Sequence, residues 1–306
     1  MAMARAAGFD AVPMDVAQRD EIFTQSLPDS SSLEEIVTVT LGGKQRYFDP
    51  GTAFLPFGML AWDNAGSTGV RYPKKAEAAW LDTPGIASKD ARRERIADLK
   101  LDGDVLTGTV KLIEHGHEGL SRRWALIHSD DAESKKTIED EVKAWFPEGS
   151  TVKMTKLTGT KDAEQPVVAE LDVTITGLGS AAGSRFLLPM SVFTSQRKNI
   201  FSAQKRTMDI FFKHAYETTD RVTVTLPDDH VIEPLPLTQN FNYGALRFTN
   251  EWKKDGKSVT LTRTQVVDTS FIPLDRYTSV RNFFSKVLTA DQDPIVLKVG
   301  DPVANK

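Results

Sequence analysis

Residues 36–41 alternate Ile36, Thr38 and Thr40 against Val37, Val39 and Leu41, a period-two, β-branched pattern that predicts a strand. Gly42-Gly43 is a two-residue hairpin signal, residues 45–48 form the return arm, and Asp49-Pro50-Gly51 stops it. Ahead of this hairpin, residues 2–7 are alanine-rich and helix-favouring, with Gly8 where a C-cap glycine ends a helix. Residues 11–16 predict a short strand, which Pro13 assigns to a sheet edge. A polar loop containing Pro28-Asp29-Ser30-Ser31-Ser32 separates the two strands. Residues 51–90 are a Gly-, Pro- and Ala-rich connector with Phe54, Phe57, Leu60 and Trp62 as packing anchors.

A second alternating region begins near Arg95. Residues 99–101 and 105–114 flank the hairpin signal Asp102-Gly103-Asp104, and Leu106, Gly108, Val110 and Leu112 share one face of the second arm. The spacing of Ala132, Ile138, Val142 and Trp145 predicts a single helix over 130–146, capped by Ser129 or Asp130 and ended by Pro147-Glu148-Gly149. Short strands follow at 152–157, 167–176, 208–212 and 221–226, then a hairpin of 245–252 with 258–267 turning at Lys254-Asp255-Gly256. A last amphipathic helix places Tyr277, Val280, Phe283, Phe284, Val287 and Leu288 inward, and 295–299 is a closing strand. Phe284 fits the 277–280–284–287 series better than Phe283, so it is expected nearer the centre of the buried stripe. Many short strands separated by turn chemistry, with two packed helices, predict a mainly β, α+β chain whose larger part is β-sandwich-like.

At 306 residues the chain has room for about two domains, on a prior of roughly 100–200 residues each. We divide it into residues 1–85 and 86–306. Hydrophobic residues make up 40% and charged residues 26%, enough of the former to bury a core. Net charge is −4 with both signs interspersed, which argues against a nucleic-acid partner, and no apolar run reaches the length of a membrane span. The N-terminus lacks the apolar stretch of a signal peptide. There is no cysteine, which excludes disulfides, cysteine–zinc sites and any thiol nucleophile within these residues.

The order AAGFDAVPMDV, strand, GGK hairpin, YFDPGT and LPFGMLAWDN resembles bacterial proteins with a central transglutaminase-like domain, built with domains of unknown function 3857 and 3858. The C-terminal RYTSVRNFFSKVLTADQDPIVLK is similar to the last helix and strand of the same proteins, so the resemblance extends over nearly all of the chain. It implies a transglutaminase-like core remnant in residues 1–85, truncated before the catalytic cysteine, and a companion β domain after it. It also implies that the catalytic aspartate is Asp49. The histidine position falls at residues 34–36, best at Glu35, and a carboxylate cannot cycle between neutral base and cationic acid near pH 7 as an imidazole does. The first histidine of the chain is His115. The resemblance therefore implies a non-catalytic binding or scaffold protein with a protein or glycan partner, in the periplasm or cell envelope. The alternative is the C-terminal portion of a cysteine-dependent amidase, peptidase or cross-linking enzyme whose nucleophile lies upstream of Met1.

Other candidate chemistry has plainer explanations. Asp49 before Pro-Gly is also a residue type that hydrogen-bonds its own turn. His115 and His117 would share one face of a strand, and with Glu114 or Glu118 they suggest a metal site, but no third ligand has recognisable spacing. His128, His214 and His230 have no partner legible in the sequence. Residues 177–184 are glycine-rich but lack the GK[ST] ending of a phosphate loop, so no cofactor is expected. Ser191 and Ser195 lack a nucleophile setting. Arg92-Arg93-Glu94-Arg95 and Gln196-Arg197-Lys198 read as charged surface runs, too weakly basic for a phosphate site, and Trp145, Phe211, Phe212 and Trp252 as core aromatics.

Overall fold

The computed structural model describes residues 1–19, 33–74 and 76–299; the polar loop expected around Pro28 to Ser32 lies outside them. The chain is mainly β with a few helices, an α+β protein. Its first part is a short helix α1 (Ala2–Ala6) and strands β1 (Ala11–Ala17), β2 (Leu33–Leu41), β3 (Lys44–Phe48), β4 (Thr68–Arg71) and β5 (Ala79–Asp82). These strands form an antiparallel sheet in the order β3-β2-β1-β4-β5. Gly8 closes α1 at φ +87°, and Gly42 and Gly43 take positive φ at the tip of the β2–β3 hairpin, as a type I′ turn requires.

Two expectations for this region change. Pro13 does not put β1 at an edge, because β1 lies between β2 and β4. Pairing with β4 begins at Met14, opposite Arg71, and the Pro13 carbonyl accepts from Tyr72 N beyond that strand's end, so the absent N–H falls where the ladder has already stopped. The 51–90 connector supplies β4 and β5, strands too short for periodicity to reveal. Of its expected anchors, Leu60 is buried whereas Phe57 is 81% exposed.

Beyond a one-turn 3₁₀ helix at Ser88–Asp90 come β6 (Ala91–Asp102), β7 (Val105–Gly116), α2 (His117–Leu126), α3 (Asp131–Lys143), β8 (Thr151–Thr158) and β9 (Val167–Ile175). Strands β10 (Ser180–Ala182), β11 (Arg185–Pro189), β12 (Ile210–Phe211), β13 (Tyr216–Thr225), β14 (His230–Ile232) and β15 (Gln239–Tyr243) follow. The chain then runs through β16 (Leu246–Asp255), β17 (Ser258–Val267), β18 (Phe271–Ile272), α4 (Tyr277–Asp291) and β19 (Pro294–Val299). Eight strands form one sheet, β15-β16-β17-β13-β6-β7-β9-β8, antiparallel except for the central β13–β6 pair. A second sheet, β10-β11-β19-β14, and a small β12-β18 pair complete the fold. Among the described residues no helix is long and apolar enough to cross a membrane.

One face of the large sheet is solvent-directed and threonine-rich, with cross-strand hydroxyl pairs such as Thr223–Thr260 at 3.0 Å. The other face carries two apolar clusters. In the larger, Ala97, Leu99, Val110, Leu171 and Val222 pack against Ile138, Val142 and Phe146 of the α3 region and against Leu188, Ile295 and Leu297 of the four-stranded sheet. In the smaller, Leu246, Phe248 and Val267 pack under α4.

The helices depart from expectation in detail. Asp130 caps α3 by accepting from Glu133 N at 2.8 Å, but its buried stripe is Ser134, Ile138 and Val142, while Ala132 faces solvent. The single central helix is in fact two, since His117 opens α2. Gly116 turns the chain at φ +54°, where a Cβ would stand 2.0 Å from the Asp90 carbonyl oxygen. In α4, Phe283 is fully enclosed and Phe284 is 6% exposed, the reverse of the expected ranking. Phe211 is not a core residue: it is 70% exposed and packs on Phe271 at 5.1 Å.

Candidate functional site

Asp49 follows β3 directly and is buried at the rim of an apolar groove of about 570 Å³ lined by residues such as Phe9, Val39, Phe48 and Phe57. Its Oδ1 accepts from Thr52 N (3.2 Å) and Thr52 Oγ1 (2.9 Å), and its Oδ2 accepts from Ala61 N (3.2 Å) and Asn64 Nδ2 (3.0 Å). Four donors converge on one carboxylate, which ties residues 50–64 back to the strand end. Asn64 is fully buried, and its Nδ2 also donates to Glu34 Oε2 at 3.0 Å. Because strand side chains alternate, Glu34 shares the face of Ile36, whereas Glu35, paired with Asp15, lies exposed on the opposite face. The structure therefore brings Asp49 together with Glu34 through Asn64, and does not bring it together with Glu35.

His115 and His117 also part company. His115 Nε2 lies 3.0 Å from Glu94 Oε1 and 3.4 Å from Arg92 Nη2, and burial with the Arg92 charge lowers its pKa despite Glu94. His117 turns inward, with its ring 5.5 Å from that of His214. Burial, reinforced by His214 and Lys213, pushes its pKa down to about 3. His230 pairs with Asp229 at 2.8 Å. Ser195 Oγ donates to the Trp145 carbonyl, and part of the glycine-rich run forms β10.

The least expected feature lies across the large sheet's inner face, between its two apolar clusters. Ladder register sets Asn250, Arg263, Asp220 and Arg95 in one row over β16, β17, β13 and β6. Arg95 grips Asp220 with Nε and Nη2 at 2.6 and 2.8 Å, and Arg263 grips Asp291 of α4. Arg263 Nη1 reaches Asp220 at 3.4 Å. The adjoining row carries Arg93 opposite Glu114, which also receives Arg122 of α2, itself paired with Glu141 of α3. Arg93 and Arg95 are thus not a surface run. They continue the inward series Ala97, Leu99, Leu101 toward the start of the strand, and that alternation was the signal available in the sequence.

This belt borders a cavity of about 460 Å³ whose walls include Arg93, Arg95, Arg197, Trp145, Phe193 and Tyr216. The Arg95 guanidinium lies 5.1 Å from the Trp145 ring centroid and 5.0 Å from that of Phe193. Burial lowers the Arg95 pKa against the pull of Asp220, and raises that of the Tyr216 phenol, which keeps Tyr216 a neutral hydroxyl.

Residues 184–297 match the family model of a domain of unknown function with solved structure, DUF3858. That span holds β13, β16, β17 and α4 but not β6 to β9, so the eight-stranded sheet is built from strands inside and outside it. A search of curated proteins finds no match. Among solved structures, a crystal structure described as a putative protease from Parabacteroides distasonis is similar, at 11% identity and a TM-score of 0.44 over 97% of this chain. The chain spans 41% of the length of that protein.

Proposed function

We propose that the chain is a non-catalytic, transglutaminase-like remnant, residues 1–85, joined to a β-rich binding or scaffold unit, residues 86–306, that serves a protein or glycan partner in the bacterial cell envelope. The observation that carries this reading is the saturation of Asp49. Its four accepted hydrogen bonds hold a turn and leave no lone pair to orient an imidazole. The sequence supports it independently, since these residues include no cysteine and no histidine before His115. Glu34, the acidic neighbour that Asn64 links to Asp49, offers a second carboxylate where a thiol-dependent site needs a base that titrates near neutrality. The test is to incubate the purified chain with peptide amides and with an amine donor. No hydrolysis and no amine incorporation above the buffer blank are expected, and turnover that co-purifies with the protein and is lost in Asp49→Ala overturns the reading.

A further inference from the structure

Four arginines of the inner belt are matched by carboxylates, and a fifth is not. Arg93 meets Glu114 at 2.8 Å and Glu118 at 2.9 Å, Arg95 meets Asp220, Arg122 meets Glu114 and Glu141, and Arg263 meets Asp291 and Asp220. Among the described residues no carboxylate lies within ion-pair distance of Arg197; its Nη1 donates to the neutral Gln265 Oε1 at 3.3 Å. Arg197 borders the 460 Å³ cavity, where three guanidinium groups and one carboxylate, Glu118, line the wall. We propose that this cavity binds a singly charged organic carboxylate, with Arg197 as counter-ion and the Trp145–Phe193 wall against the ligand's apolar body.

The chemistry of the lining selects this class. A guanidinium offers parallel donors that suit a planar carboxylate, and Arg197 uses one nitrogen on Gln265 while it faces the cavity. The neutral Tyr216 hydroxyl lies beside Arg197 and interacts with it, which helps hold the guanidinium at the cavity. Arg93 and Arg95, the other guanidinium groups of the wall, are already paired with Glu114, Glu118 and Asp220, so the cavity offers no second unpaired cation for a phosphate dianion. Attraction is local to the unmatched guanidinium, which favours a monoanion. The volume falls in the range of about 300–1,000 Å³ typical of small-ligand pockets, and the Trp145 and Phe193 rings, edge-on to each other at 5.6 Å, give the apolar part of a ligand a surface.

The inference deepens the binding role proposed above and gives it a ligand class. Titration calorimetry of the full chain with benzoate, its neutral isostere benzamide and inorganic phosphate tests it. Saturable one-to-one binding of benzoate is expected, at least tenfold tighter than benzamide or phosphate. Arg197→Ala is expected to weaken it at least tenfold; Arg197 is solvent-exposed and the variant leaves every ion pair of the belt in place. Ala144→Phe, which adds bulk at the cavity wall without removing a charged residue, is expected to abolish binding too. Absence of saturable benzoate binding, unchanged affinity in both variants, or tighter binding of phosphate overturns the proposal. Those results leave the non-catalytic reading standing, whereas amide turnover would remove that reading and not this site.

Discussion

Asp220 shows what one residue does when a charge is enclosed on every side. It lies between Arg95 and Arg263, both buried, and without it Arg95 loses the one carboxylate it meets among the described residues, while Arg263 keeps Asp291. Removing one partner of a buried pair typically costs about 3–5 kcal/mol, because the other charge is left desolvated and unmatched. Asp220→Ala is therefore expected to destabilise the protein by about that amount in urea melts, and Arg95→Met with Asp220→Leu together by less than the single change. His117 gives a titratable counterpart. Its folded pKa of about 3 lies below the ordinary value near 6.5, so the unfolded chain takes up a proton first as pH falls. Its stabilising contribution is complete above pH 6.5 and is lost on the way down toward pH 3, at up to about 1.4 kcal/mol per pH unit. Urea midpoints from pH 8 to pH 5 should fall, and His117→Gln should flatten that dependence. The sequence showed both residues without their setting. The Arg92–Arg95 run looks solvated because its carboxylate partners come from β13, α2 and the end of β7, and only the inward series of Ala97, Leu99 and Leu101 hinted otherwise. Asp49 was legible as a turn former, whereas Asn64 and Glu34 emerge as its neighbours only once the sheet is built.

At the scale of elements, what local chemistry encodes was legible. The Gly42-Gly43 and Gly103 hairpins, the Asp130 cap and the Gly8 terminus follow from backbone conformations that few residues satisfy. Elements of two to four residues, such as β4, β5 and β18, were not separable from loop by periodicity, and α2 was hidden because Gly116 ends a strand and begins a helix at one residue. The α4 face is a finer case. Helical spacing alone favoured Phe284, but α4 packs against both β16 and the aromatic Tyr243, and this closes over Phe283, whose ring meets Tyr243 edge-on at 5.6 Å. Truncating a buried phenylalanine costs about 3–5 kcal/mol. Phe283→Ala is expected at the upper end of that range and Phe284→Ala below it, as read from paired urea melts.

For the whole molecule, the five-stranded sheet is complete by Asp82 and the eight-stranded sheet begins at Ala91, which is the basis for proposing that 86–306 folds by itself. The N-terminal part has small apolar clusters, Met14, Val16, Ile36, Leu60 and Ala65 on one side and Ala11, Val37 and Val39 on the other. It leans on the rest through Trp124 Nε1 donating to the Ala53 carbonyl and Phe57 N donating to Glu164. Expressed separately, 86–306 should give a dispersed amide spectrum and 1–85 a collapsed one; the opposite pattern would place the division elsewhere. Mainly β content was legible from alternation, but sheet order was not, because it depends on which distant strands meet. The parallel β6–β13 pair at the centre has a consequence for how the chain assembles. Arg95 and Asp220 meet across 125 residues, so the middle of the sheet is its last local neighbourhood to exist. The β6–β7 and β16–β17 hairpins close early and cheaply, whereas joining them closes a loop whose entropy no turn repays in advance. A one-residue slip there would carry Asp220 to the solvent face and leave Arg95 unmatched inside, while Arg263 would keep Asp291. The Arg95–Asp220 pair thus fits one alignment of the two halves and penalises the shifted one, because a slip leaves a buried guanidinium without its carboxylate.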